Sequence, residues 1–422
     1  MIKSIVGGTL AALFLALALT RPAPMCDVVS AQASLSEWSQ WRGGQRDGVT
    51  SLAAPASWPD KPKQIWKVPA GIGHSSPVGT GGRIYQLSRI GEQETTTAYD
   101  AATGKQVWRD SYDAPYIMSS AATSHGKGPK STPVVDRGRV YALGISGILS
   151  AVDAATGKVA WRYDSKKEFP KTSPEFGASM SPIVDGELVI AHVGGDKNGA
   201  IIAFDRTSGA QKWAWKGDGP AYASPIIATF GGSRHLITQT QSHVVGLSPS
   251  DGKLLWQIPF TTDYEQNIIT PVVADALLIY AGLNKPTTAV RLAQEGGAWK
   301  PQQVWQNADI PMYMSSPVAA GGVMYGLTHR NRGQFFAVDV KTGKTLWTSP
   351  PRQGENAALT LASGVVIATT TEGELVVFKQ GGTGFELIRK YTVAESPIWA
   401  HPGFAAGGIL IKDAETLSLW RF

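Results

Sequence analysis

Apolar positions along this chain come in short runs, and the runs repeat. One phrase reads AYDAATGKQVW at Ala98–Trp108 and AVDAATGKVAW at Ala151–Trp161. It returns as AFDRTSGAQKW at Ala203–Trp213, GLSPSDGKLLW at Gly246–Trp256 and AVDVKTGKTLW at Ala337–Trp347. A stretched version runs from Ala289 to Trp305, and a decayed one from Val376 to Tyr391. A second phrase, Ser/Thr-Pro followed by aliphatics, recurs at Ser75, Ser131, Ser181, Ser224, Thr270, Ser315 and Ser396. Between the two phrases lies a short alternating run such as RVYALG at Arg139.

Each repeat reads as four strands. The Pro-bounded aliphatic run is an inner strand, the alternating run a half-buried second strand, and A-V-D the end of a third. In x-T-G-K, Asp caps a tight turn with its side chain and Gly supplies positive φ. K-x-x-W opens the fourth strand and buries a large aromatic. Four short antiparallel strands with polar turns make one propeller blade. The closing aromatics are Trp66, Trp108, Trp161, Trp213, Trp256, Trp305, Trp347 and Tyr391, spaced 42 to 53 residues apart, a period typical of propeller repeats. Ser396–Phe422 supplies three strands without a fourth, and KQIWKV around Trp66 is a fourth strand without a blade. Pairing the two shuts the ring and removes both free edges. The expected fold is all-β, an eight-bladed propeller with four-stranded antiparallel blades, with seven blades as the fallback. The repeated Trp residues then dock neighbouring blades, and the repeated Asp and Lys are turn chemistry.

Composition narrows the class. The 422 residues include 47 Gly, 14 Trp and one Cys, with 17% charged and 43% hydrophobic residues. That excludes a solvating disordered chain and an internal disulfide framework. Lys3 followed by the apolar run Ile5–Leu19 and the A-x-A at Ala31–Ala33 reads as a secretory signal over 1–33, leaving 34–422 as a single propeller domain. The rival is a lipid anchor on Cys26, but Ala23-Pro24-Met25 is a poor lipobox. Cleavage takes the net charge from +6 to +5 and leaves no Cys. No apolar run after the signal is long enough for a transmembrane helix, and no dense Lys/Arg run points to nucleic acid.

The x-D-x-x-T-G-K-x-x-W phrase resembles the repeat of the pyrroloquinoline-quinone (PQQ) type propellers. The likeness covers Trp38 to Phe422. WSQWRGGQRDGV at Trp38–Val49 and HGKGPKSTPVVDRGRVYALG at His125–Gly144 are similar to the exported PQQ-like proteins in particular. That superfamily implies two functions. One is quinone-dependent dehydrogenation, with PQQ stacked on a Trp floor under a disulfide and Ca²⁺ held by Glu, Asn and Asp. The other is non-catalytic scaffolding, as in the BamB-like proteins of outer-membrane barrel assembly. The mature chain has no Cys for the disulfide, and no calcium set can be placed on its residues. No other catalytic motif is visible.

In a propeller, the loops entering the inner strands line one mouth of the central channel, the default place for a ligand. The candidates there are His74, His125, Lys130, Glu175, Tyr222, Asn267, Tyr313, Asn356, Glu395, Trp399 and His401, the last two placed in the inner strand of blade 8. The same groups could instead plug the channel by bonding to one another. The expected protein is an exported, periplasmic or extracellular scaffold for protein or peptide partners, monomeric or within a complex, with no catalytic residue, metal or cofactor. A PQQ- and Ca²⁺-dependent dehydrogenase and a small-molecule or carbohydrate binder are the alternatives.

Overall fold

The computed structural model describes Met1, residues 38–170 and residues 174–422. The proposed signal over 1–33 and Cys26 lie outside the described residues, apart from Met1. Eight four-stranded antiparallel sheets follow one another as the blades of a propeller. Blade 1 runs Val78–Asp113, blade 2 Val134–Asp164, blade 3 Ile183–Trp215 and blade 4 Ile226–Pro259. Blade 5 runs Val272–Asn307, blade 6 Val318–Thr348 and blade 7 Ala357–Thr392. Blade 8 takes three strands from Gly403–Arg421 and its outermost from Lys63–Pro69, with Trp66 opposite Leu419 and Pro69 opposite Thr416. The ring therefore closes by pairing the two ends of the chain.

The Ser/Thr-Pro phrase has a reason beyond its apolar tail. Pro cannot donate to a ladder, and each phrase except the one at Ser396 sits just before an inner strand. Its hydroxyl residue links one blade to the next. The His401 amide donates to Ser76 Oγ at 2.9 Å, and the Ser76 amide to Thr132 Oγ1 at 3.2 Å. Thr132 donates to Ser181 Oγ and Ser181 to Ser224 Oγ, each at 3.0 Å, and Thr270 donates to Ser316 Oγ at 3.0 Å. These bonds run around the channel. They also correct the reading of blade 8. Its inner strand is Gly403–Ala405, so the equivalent phrase is His401-Pro402-Gly403. Trp399 and His401 lie before that strand rather than in it.

The closing Trp residues lie between blades, each reaching the turn of the next. Trp108 donates its indole N–H to the Ala154 carbonyl at 3.0 Å, Trp305 to Val340 at 2.8 Å and Trp66 to Ala101 at 3.1 Å. The turn glycine has two duties. Gly157 has φ +75, and a Cβ there would lie 2.6 Å from the Trp108 ring. Thus Gly in T-G-K serves the turn and also seats the preceding blade's indole. Trp256 departs from the pattern. The stretched Lys285–Asn307 hairpin of blade 5 offers no such seat, and the Trp256 indole donates instead to His235 Nδ1 of its own blade at 3.0 Å. Tyr391, in the decayed repeat, donates to the Pro59 carbonyl at 2.6 Å.

The segment Trp38–Thr50 runs across the channel axis. Trp38 pairs with Gly79 of blade 1 in both directions, and Ser39 accepts from Val135 of blade 2. Arg46 donates to the Ser181 and Pro182 carbonyls at 3.0 and 2.9 Å, at the entry to blade 3. Trp41 donates to Thr270 Oγ1 at 3.1 Å, at the entry to blade 5, and Arg42 donates to the Pro317 carbonyl, at the entry to blade 6. Gly48 and Thr50 bracket Leu361 of blade 7, and Trp38 packs on Phe404 of blade 8 with ring centroids 4.7 Å apart. Arg42 and Arg46 are buried, both with φ +59. Burial lowers their pKa to about 10 and about 9, so both stay charged at neutral pH and use backbone carbonyls as partners. This crossing segment plugs the channel and ties blade to blade.

Candidate functional site at the channel mouth

Above the plug the channel opens as a funnel enclosing about 850 Å³, counting the part open to solvent. Its cavity proper is about 140 Å³, smaller than the roughly 300–1,000 Å³ of typical small-ligand sites. Trp41, carried by the plug, faces His401 across 4.2 Å. Trp399 lies 5.8 Å from His74 and 5.1 Å from His125 between ring centroids. The belt continues through Phe176, 6.1 Å from His125, to Tyr222, 5.8 Å further on. Aromatic rings therefore wall the funnel over much of its circumference.

Its polar groups are few. Lys130 Nζ donates to the Phe176 carbonyl at 2.9 Å, and burial lowers its pKa to about 8. His74 Nε2 lies 2.9 Å from the His125 carbonyl, so that nitrogen carries the proton. Burial, then the Lys130 charge, drops the His74 pKa to about 3, and burial drops that of His401 to about 3. Both rings are neutral at pH 7. Gln266 accepts from the Tyr313 hydroxyl at 2.7 Å. No Asp or Glu lines the funnel among the described residues, and none of them form a cluster suited to a metal ion.

Of the sequence candidates, the structure brings together His74, His125, Lys130, Tyr222, Trp399 and His401. Glu175 accepts from Ser119 Oγ at 3.1 Å, outside the funnel lining. Asn267 is fully buried and spends its amide on the Thr240 and Phe260 carbonyls at 2.7 and 2.9 Å, a loop-fastening role. Tyr313 and Asn356 line a separate cleft with Arg332, Arg352 and Glu372. Glu395 is exposed. Sequence reasoning missed Trp41, Phe176 and Gln266 as lining. Phe176 had a signal in its place beside Glu175, and Trp41 had one in the Gly-rich motif that carries it. The Glu, Asn and Asp set that a calcium-held quinone would need does not fit this funnel, because Asn267 is turned into backbone and the acids lie elsewhere.

Buried neutral histidines make stability depend on pH. His192 and His235 are also buried, with pKa lowered by desolvation to about 4. The unfolded chain protonates its histidines near 6.5, and the folded chain refuses those protons until pH 3–4. Stability is therefore fully present above about 6.5 and is lost as pH falls through 6 and 5. Each tenfold difference in proton affinity between the folded and unfolded chain is worth about 1.4 kcal/mol. Lys130 and Lys412, both lowered to about 8 by burial, act at the other end, raising stability as pH climbs from about 8 to 10. Urea midpoints at pH 7 and pH 4.5 check the acid limb, and equal midpoints contradict it.

The family profile described as outer membrane protein assembly factor BamB matches residues 56–119 and 92–349. The BamB of Yersinia pestis is 25% identical over 334 residues, covering 74% of this chain and 77% of that protein. A polyvinylalcohol dehydrogenase from Pseudomonas sp is 25% identical over 327 residues, covering 60% of this chain and 50% of that protein. The crystal structure of BamB from Moraxella catarrhalis superposes with a TM-score of 0.60 at 15% identity, over 86% of this chain and 98% of that one. Eight PQQ-type blades and a profile match over most of the chain place this protein in the outer membrane protein assembly factor BamB family.

Proposed function

We propose that this chain is a non-catalytic scaffold that holds protein or peptide partners in the cell envelope, exported by the segment over 1–33. Membership in the BamB family carries the reading. The relatives named as assembly factors support a partner-binding role, and the plugged axis supports one made outside the channel. The outer strands offer such surface: Val107, Val304 and Leu387 are exposed there at 45, 39 and 51%, and an exposed strand edge can receive an extended segment of a partner. Among the described residues no helix is long and apolar enough to cross a membrane. A tagged copy of the chain, captured from envelope extract, is expected to return the same few envelope proteins in repeated preparations. Recovery of background alone overturns the proposal. Dye reduction with alcohols or polyvinyl alcohol after incubation with PQQ and Ca²⁺ favours the dehydrogenase reading instead, to which the Pseudomonas relative lends its likeness.

A further inference from the structure

The separate cleft between blades 6 and 7 has a cavity of about 710 Å³, inside the range of roughly 300–1,000 Å³ for small-ligand sites. Three loops enclose it. One joins the second and third strands of blade 6 and carries Arg332, one enters blade 7 and carries Arg352 and Glu355, and one joins the second and third strands of blade 7 and carries Glu372. Their backbones lock the four charges in place. The Arg352 amide donates to the Asn331 carbonyl at 3.2 Å and the Gln353 amide to the Gly333 carbonyl at 3.0 Å, which sets Arg332 and Arg352 on touching turns. The Glu355 amide donates to Glu372 Oε1 at 3.0 Å, which holds the two glutamates together. Gly354 makes room for this, since a Cβ there would lie 2.4 Å from Glu372 Oε2. One wall of the cleft is thus cationic and the other anionic, and among the described residues no ion pair joins the two. Like charges held near each other repel, and a ligand charge of opposite sign relieves each pair. Both arginines also take left-handed backbone, φ +61 at Arg332 and +65 at Arg352, a strain that collects at binding sites.

We propose that this cleft binds a short free peptide by its two ends, the terminal carboxylate at Arg332 and Arg352 and the terminal ammonium at Glu355 and Glu372. A guanidinium suits a carboxylate, which it meets with two parallel N–H bonds, and an ammonium brings three donors to carboxylate oxygens. Because both termini are read, an internal segment of a folded protein does not satisfy the site. It is therefore separate from partner binding on the outer strands, and neither reading depends on the other.

Calorimetry on the purified chain at pH 7 tests this with trialanine, its N-acetyl form and its C-terminal amide, each blocked form lacking one of the two charges. Trialanine is expected to bind at least about ten-fold more tightly than either. Arg352→Gln should shrink the loss caused by amidation and leave that caused by acetylation, and Glu355→Gln should do the reverse. Both side chains are exposed, so both variants are expected to fold. No heat from trialanine at millimolar concentration overturns the proposal. So does a blocked form that binds as tightly as trialanine, an amidation loss unchanged in Arg352→Gln, or an acetylation loss unchanged in Glu355→Gln. The comparison of the three peptides on the unmutated chain stands whatever the variants do.

Discussion

Trp38→Ala is expected to lower stability by about 3–5 kcal/mol, the usual range for losing a large buried aromatic. Trp38 is 2% exposed, packs on Phe404 and anchors the start of the crossing segment to Gly79. Its loss opens a cavity between blades 1 and 8 and loosens the lever on which Trp41, Arg42 and Arg46 are set. The two arginines make the effect cooperative. Their partners are backbone carbonyls at the entries to blades 3 and 6, so a displaced plug strands buried charge as well as apolar surface. A urea midpoint measures it, with Val107→Ala on an exposed outer strand as the control, expected within about 0.5 kcal/mol. Equal shifts for the two would show that the crossing segment is an ornament rather than a strut.

Leu419→Asp is expected to have the larger effect, loss of the closed ring at ordinary temperature. Leu419 is fully buried, lies opposite Trp66 in the closing pair and packs with Ile84 and Tyr99 of blade 1. A carboxylate there has no partner and cannot reach water without parting the closing strands. Opening that pair exposes two ladders of unpaired backbone groups, which invite association between copies. Gel filtration should show larger species, and circular dichroism a weakened β signal. Leu387→Asp, at a half-exposed edge position of blade 7, is the matched control and should leave the chain monodisperse. A monodisperse Leu419→Asp with an unchanged midpoint would contradict closure by the terminal strands.

The blades were legible because the repeat states each of them several times. The Asp and Gly of the turn and the closing Trp mark the same places in every well-kept copy, and KQIWKV with TLSLWRF gave the closure. One local reading failed where one copy differs from the rest. SPIW at Ser396 imitates the inner-strand phrase, but the hydroxyl-to-amide links around the channel select His401-Pro402. Trp256 keeps its place between blades, packing with Leu278 and Tyr280 of blade 5, and only its N–H differs, going to His235 because the next hairpin lacks the glycine seat. The channel mouth was legible in part. Loop position before an inner strand finds His74, Lys130 and Tyr222. It cannot tell a residue aimed at the cavity from one such as Asn267, whose amide fastens its own loop. Nor can it foresee Trp41, which reaches the funnel from a segment outside every blade.

The terminal seam also has a consequence in time. Tyr391 finds its acceptor on Pro59, 332 residues away in sequence, and Lys412 reaches the Gly73 carbonyl across 339. Synthesis at about 5–20 residues per second makes the chain in roughly 20 to 80 s. Blades built from contiguous sequence form early in that interval, because their contacts are local. The strand made first is placed late, since its partner is made only after the seven blades between them. Until then the growing arc carries two open edges, and its readiness to misassociate is set by how fast the closing strand arrives. A holding factor that shields the arc during synthesis should raise the yield of folded chain, and should do little for the finished ring.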